Sequence, residues 1–225
     1  ENTWTTANCS ATNSNVPIYD IANSLRFNDD DSPYLSRTPA SAGDRRTWTW
    51  SWWVKLWALW ISNPAIFQWN ESGTDRGASG GYAQISFDSD NKITVFNYES
   101  GPYNLNLKST AVYNNPSVWY HLVVAIDTTI SSPSSDRAKM YINGVQITDF
   151  TTSIYPDYND ELFVNMSQLH VIWNRDNAYF DGYLSDVHFV DGQALDPTSF
   201  GEDDAGTWKA IEYAWTYGTN WFYLD

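Results

Sequence analysis

Carboxylates are the first groups in this sequence dense enough to do chemistry. Asp29, Asp30 and Asp31 stand side by side. Adjacent carboxylates repel one another unless water or a cation neutralises them. The run is therefore read either as a solvated acidic turn or as an oxygen-rich site for Ca²⁺, though not in the order of an EF-hand loop. A glycosidase of the laminarinase type needs a different arrangement, E-x-D-x-x-E, which aims an acid and a nucleophile at one face. That pattern is absent: Glu71, Glu99, Glu161 and Glu212 are isolated, and Glu202-Asp203-Asp204 sits in a turn-like segment. His121, His170 and His188 fall in separate strand patterns without H-E-x-x-H spacing. They read as packing or surface histidines rather than zinc ligands. The single cysteine, Cys9, excludes an internal disulfide framework and a multi-Cys zinc site. Gly77-Ala78-Ser79-Gly80-Gly81 spells G-x-S-x-G but reads as a flexible loop rather than a strand-to-helix elbow. With no phosphate loop or dinucleotide fingerprint either, the chain is expected not to be an enzyme.

Aromatic rings offer a second kind of chemistry. The chain carries 13 Trp, 15 Tyr and 10 Phe, more than a disordered segment would hold. Trp57, Trp60, Trp69 and Trp173 lie near strand ends or loops, where a ring can stack on the apolar face of a sugar. The plainer use of surplus tryptophan is core packing or an interface between copies. Trp4, Trp208, Trp215 and Trp221 lie towards the termini and are the candidates for such an interface. A homo-oligomer is the expectation they carry.

These side chains must be held by strands. Trp48, Trp50, Trp52, Val54 and Leu56 alternate with Thr47, Thr49, Ser51, Trp53 and Lys55, a period of two that sends the first set into a core. Residues 119–126 are apolar on both faces and suit a central strand. Asn143-Gly144 between 138–142 and 145–148 predicts a type I′ hairpin. Asp88-Ser89-Asp90-Asn91 predicts a four-residue loop between 83–87 and 92–98. Further strands are expected at 24–28, 34–37, 65–69, 105–109, 169–173 and 183–190. One helical turn is expected at 196–200, with Asp196 as cap and Pro197 at its first position. About a dozen short strands with frequent turns predict an all-β, antiparallel two-sheet jelly-roll sandwich. Residues 1–23 read as an arm or linker, 24–202 as the sandwich, and 203–225 as an extension packing on the sandwich or on a neighbour.

Charge narrows the partners. Twelve basic against 27 acidic residues give a formal charge of −15 and a pI near 4.3. Such a chain repels phosphate backbones, so nucleic acid is not an expected partner. No stretch is apolar enough to span a bilayer, so membrane insertion is not expected either. Three N-x-S sequons, at Asn8, Asn70 and Asn165, matter only in a glycosylating host.

The order of motifs carries a resemblance. Ser24-Leu25-Arg26-Phe27-Asn28, the 47–55 strand, Trp119-Tyr120-His121-Leu122, Tyr141-Ile142-Asn143-Gly144 and Phe180-Asp181-Gly182-Tyr183-Leu184 follow one another as in the laminin-G-like branch of the concanavalin A-like lectin/glucanase superfamily. The resemblance covers roughly residues 24–200 and implies a jelly-roll sandwich. It also implies Ca²⁺ where the first core strand's loop meets a late strand, so that Asp181 or Asp186 would complete a shell begun by Asp29, Asp30 and Asp31. The runs 24–32, 34–39, 191–197 and 217–220 resemble domains in virion proteins of marine tailed phages. That implies an extracellular, virion-surface structural or adhesive role. A lectin-like module binding cell-surface glycans is the alternative, and a glycan hydrolase a distant third.

Overall fold

The computed structural model describes residues 19–57, 65–70, 81–99, 101–172, 174–175 and 178–225. Among these, two seven-stranded antiparallel sheets stack face to face. The first sheet runs in the order Leu25–Phe27, Gly182–Asp191, Thr47–Leu56, Tyr120–Asp127, Ala138–Ile142, Val145–Gln146, and Phe222–Leu224 pairs with the far half of Gly182–Asp191. The second runs Phe150–Ile154, Tyr103–Ser109, Ile93–Tyr98, Tyr82–Phe87, Ala65–Asn70, His170–Ile172, Leu35–Arg37. No helix among the described residues is long and apolar enough to cross a membrane.

The alternation in Thr47–Leu56 sets the core. Trp48, Trp50, Trp52 and Val54 are buried on its inner side, against Phe67, Trp69, Ile85 and Leu107 of the second sheet. Trp50 sits at the centre. Its ring meets Phe67 edge-on at 4.6 Å, Phe222 at 5.0 Å and Phe189 at 5.7 Å, so one side chain joins both sheets and the C-terminal strand. Asn143 and Gly144 take positive φ as the hairpin requires. Asp196 caps the turn Pro197–Ser199 by accepting a hydrogen bond from the Thr198 amide at 2.9 Å.

The outer side of the first sheet is covered too. Val123, Val190, Phe200 and Tyr213 form a second small core, and the hairpin Gly201–Asp204/Thr207–Ala210 and the C-terminal segment lie over it. This cover explains why Thr49, Ser51, His121 and His188, which alternate outward, are nonetheless buried. Asp191 fastens the end of the segment. Its carboxylate accepts from the backbone of Asp44, Thr219 and Asn220 and from the Asn165 amide, so a buried charge is fully hydrogen-bonded.

Candidate functional site

On the outer side of the first sheet, beside the cover, lies a groove of about 480 Å³. Its floor is Trp53, Trp119 and Ser185, and its walls are residues 19–24 on one side and Trp208 with Lys209 on the other. Sequence position places the rings: Trp53 is the outward residue opposite His121 in the ladder, and Trp119 immediately precedes that strand. Trp208 reaches over from the 201–210 hairpin. It lies against Gly144 and Gly201, where a Cβ would stand 2.4 Å and 2.6 Å from its indole. Gly144 thus serves both its turn and the ring beside it.

His121 locks the set together. Trp53 stacks on it at 4.9 Å and Trp208 at 6.0 Å. The Trp208 indole N–H donates to Nδ1 of His121 at 2.8 Å, and Nε2 lies 2.9 Å from Ser51 Oγ. An accepting Nδ1 places the imidazole proton on Nε2, which donates to Ser51. Burial holds His121 neutral, with its pKa lowered to about 3. The indole N–H of Trp53 is buried without an acceptor, an unpaired donor on a residue of the groove floor.

The other side of the groove is fixed by a bulge. Register shifts between Ser185 and His188, and Asp186 takes φ 50°. Asp186 and His188 are both buried, with Asp186 Oδ1 3.1 Å from His188 Nε2 and accepting from the Tyr19 hydroxyl at 2.7 Å. His188 Nδ1 meets the Tyr217 hydroxyl at 2.9 Å. Burial pushes the Asp186 carboxyl up, but the adjacent His188 ring and the hydrogen bond from Tyr19 outweigh it and hold the group below the usual carboxylate range. Ser185 Oγ donates to the Asn23 carbonyl, so the 19–24 wall is tied directly to the sheet.

Next to the groove, Tyr183 stands between Trp119 and Trp57, with ring centroids 6.4 Å and 6.3 Å away. The Arg26 guanidinium lies 5.0 Å from the Trp57 ring and 5.1 Å from Tyr183. Trp57 is 59% exposed.

Other expected residues go elsewhere. Trp69 is fully buried and stacked on Phe163 at 4.5 Å, so it cannot reach a sugar. It sits where Ala65–Asn70 pairs on both sides, well inside the second sheet. Trp208 is half-buried on its own chain, with its indole bonded to His121. Trp221 is 46% exposed, yet its ring stacks on Tyr217 at 4.6 Å. Trp215 is 69% exposed. Trp4, Trp60 and Trp173 lie outside the described residues.

The acidic residues do not form one shell. Asp29–Asp31 is an exposed 3-10 turn. Arg26 pairs with Asp181 at 2.9 Å and supplies the positive charge there, although burial and nearby Asp29 and Asp30 still leave the Asp181 carboxyl raised. Asp186 is enclosed with His188 and Tyr19, which removes it from the expected set. Among the described residues, no group of three or more His, Cys, Asp or Glu side chains is gathered to hold a metal.

A second aromatic set faces outward from the second sheet. Tyr82, Phe96, Tyr98 and Tyr103 contact one another at 5.2–5.5 Å. Gln84, in ladder register with Phe96, is buried with both amide atoms unpaired.

With fold and site in view, the class follows. Residues 29–199 match the Laminin_G_3 family model of the concanavalin A-like lectin/glucanases superfamily, and the chain belongs to that family. No curated protein sequence matches the chain. Among solved structures it is similar to domains LG4-5 of the mouse laminin alpha1 chain, with 9% identity and a TM-score of 0.54 over 90% of this chain and 47% of that one. It therefore spans about half of that laminin fragment. A SAP-like heptameric pentraxin from Limulus polyphemus is 14% identical, with a TM-score of 0.48 over 72% of this chain and 71% of that one. The CBM40 of the Ruminococcus gnavus IT-sialidase is 9% identical, with a TM-score of 0.47 over 73% and 95%. At such identities the likeness concerns the fold.

Proposed function

We propose that this chain is a non-catalytic adhesive module that binds glycan in the Trp53–Trp119–Trp208 groove. The observation that carries the proposal is the convergence of three indoles on one concavity. Stacking on the apolar face of a sugar plus a few hydrogen bonds is the usual chemistry of such a site. Membership of a lectin-bearing superfamily supports the same reading. Hydrolysis would need two carboxylates across the scissile bond; of the groove's described lining, Asp20 alone is acidic.

A glycan array with the intact chain, followed by titration with the best ligand, tests the site. Trp119→Ala is expected to weaken that ligand about tenfold or more, equivalent to about 1.4 kcal/mol, while the melting temperature holds. Loss of binding on Tyr103→Ala, with Trp119→Ala silent, would move the site to the second sheet. Retention of no glycan at all would refute the proposal.

We further propose display on an extracellular assembly such as a virion, in several copies. Exposed Trp215 supports a contact between copies, since a large apolar ring left in water favours burial at an interface. Sedimentation should show an oligomer that Trp215→Ser dissociates. A wild-type monomer at every concentration tested would contradict it.

A further inference from the structure

We propose that the chain also holds a separate site for an amphipathic monoanion, a carboxylate on an unbranched apolar body of about ten carbons. The site is a cavity of about 340 Å³ at the open edge of the sandwich, where Leu35–Arg37 of the second sheet faces Phe222–Leu224 of the first. Its walls are apolar: Leu35, Phe67, Ile172, Phe189, Phe222 and Leu224. That volume lies in the lower part of the range for small-molecule sites, roughly 300–1,000 Å³.

Arg37 supplies the polar end. In the ladder it pairs with buried His170, as Leu35 pairs with buried Ile172, which brings its guanidinium to the mouth of the cavity while the residue stays exposed to solvent. Its Nη1 donates to the carbonyls of Asn220 and Trp221 at 3.1 Å and 2.7 Å, and the group lies 5.6 Å from the Phe222 ring. Among the described residues, no hydrogen bond uses Nε or Nη2 and no carboxylate pairs with Arg37. In a chain of charge −15, with acidic residues outnumbering basic ones 27 to 12, an uncompensated guanidinium at an apolar cavity is the unusual feature. Its free edge matches a carboxylate.

The buried polar groups deeper in the cavity are largely engaged already. His170 uses Nδ1 on the Gln168 carbonyl and Nε2 on the Asn165 amide. Asn220 donates to Ser41 and to Asn165. With few donors or acceptors to spare against six apolar walls, the cavity disfavours a polyhydroxylated sugar and favours one charge on an apolar chain. The plainer reading makes Arg37 an exposed charge on the edge strand that keeps it from pairing with another chain.

Calorimetric titration of the intact chain with decanoate, and in parallel with decanol, separates these readings. Decanoate should saturate at one per chain. Arg37→Met should weaken decanoate at least tenfold and leave decanol unchanged, while Leu224→Trp, which fills the cavity, should abolish both. Melting curves of both variants report that the fold persists. Absence of saturable decanoate binding to the wild type, or binding that neither substitution alters, would overturn the proposal. Failure of the glycan experiments above leaves this test untouched, because no residue is shared between the two cavities.

Discussion

Acidification from pH 7.5 to pH 5 should lower the unfolding free energy by about 4 kcal/mol, about 2 for each of two buried histidines. His121 has its pKa lowered to about 3 and His170 to about 4, both chiefly by burial. In the unfolded chain a histidine takes up its proton near pH 6.5. The folded state therefore binds fewer protons than the unfolded state between pH 6.5 and pH 4. The stability these groups contribute is complete above pH 6.5 and falls as the pH drops through that window. Carboxylates titrate mostly below it, so the slope there belongs to histidine. Denaturant midpoints at pH 7.5, 6 and 5 measure the loss, and His121→Gln and His170→Gln should each remove about half of the pH dependence. Unchanged midpoints from pH 7.5 to 5 would show that neither imidazole is held neutral by burial.

Trp50→Ala should cost about 3–5 kcal/mol, the range for deleting a large buried aromatic ring. For a chain of this size that corresponds to a fall in melting temperature on the order of 10 °C. The loss is large because the ring contacts Phe67, Phe189 and Phe222 at once, leaving a cavity that neither sheet can close alone. Trp50→Phe should cost much less. The indole N–H of Trp50 has no acceptor, so the smaller ring removes an unpaired donor along with some contact area. A Trp50→Ala variant that melts with the wild type would contradict the assignment of this strand's inner face.

The inner faces were legible because period-two alternation is a local signal. Trp48, Trp50 and Trp52 were expected inside and are inside. The Asn143-Gly144 hairpin and the Asp196 cap were readable for the same reason, since each depends on residues a few positions apart. What alternation does not report is whether a strand's other face meets water or another segment. Ser51, His121 and His188 are polar and outward, yet residues from the last quarter of the chain bury them. The Trp208–His121 bond spans 87 positions, and nothing near either residue announces it. Trp69 was misplaced by the same blindness. Its position near a strand end suggested exposure, whereas pairing on both flanks encloses it. Trp53 and Trp119 are hard to tell from core residues in the sequence because both sit within or beside strands that also feed the core. The signal that marks them is a tryptophan on the polar side of an alternating strand.

Fluorine spectra of the chain labelled with 5-fluorotryptophan test the glycan groove most directly. The 13 tryptophans give separate probes, each assigned by a single Trp→Phe substitution. On titration with a glycan retained on the array, the signals of Trp53, Trp119 and Trp208 should move together and saturate. Those of Trp48, Trp50 and Trp52, sealed in the core, should stay in place. Saturable glycan binding that leaves the three groove signals unmoved would contradict the account.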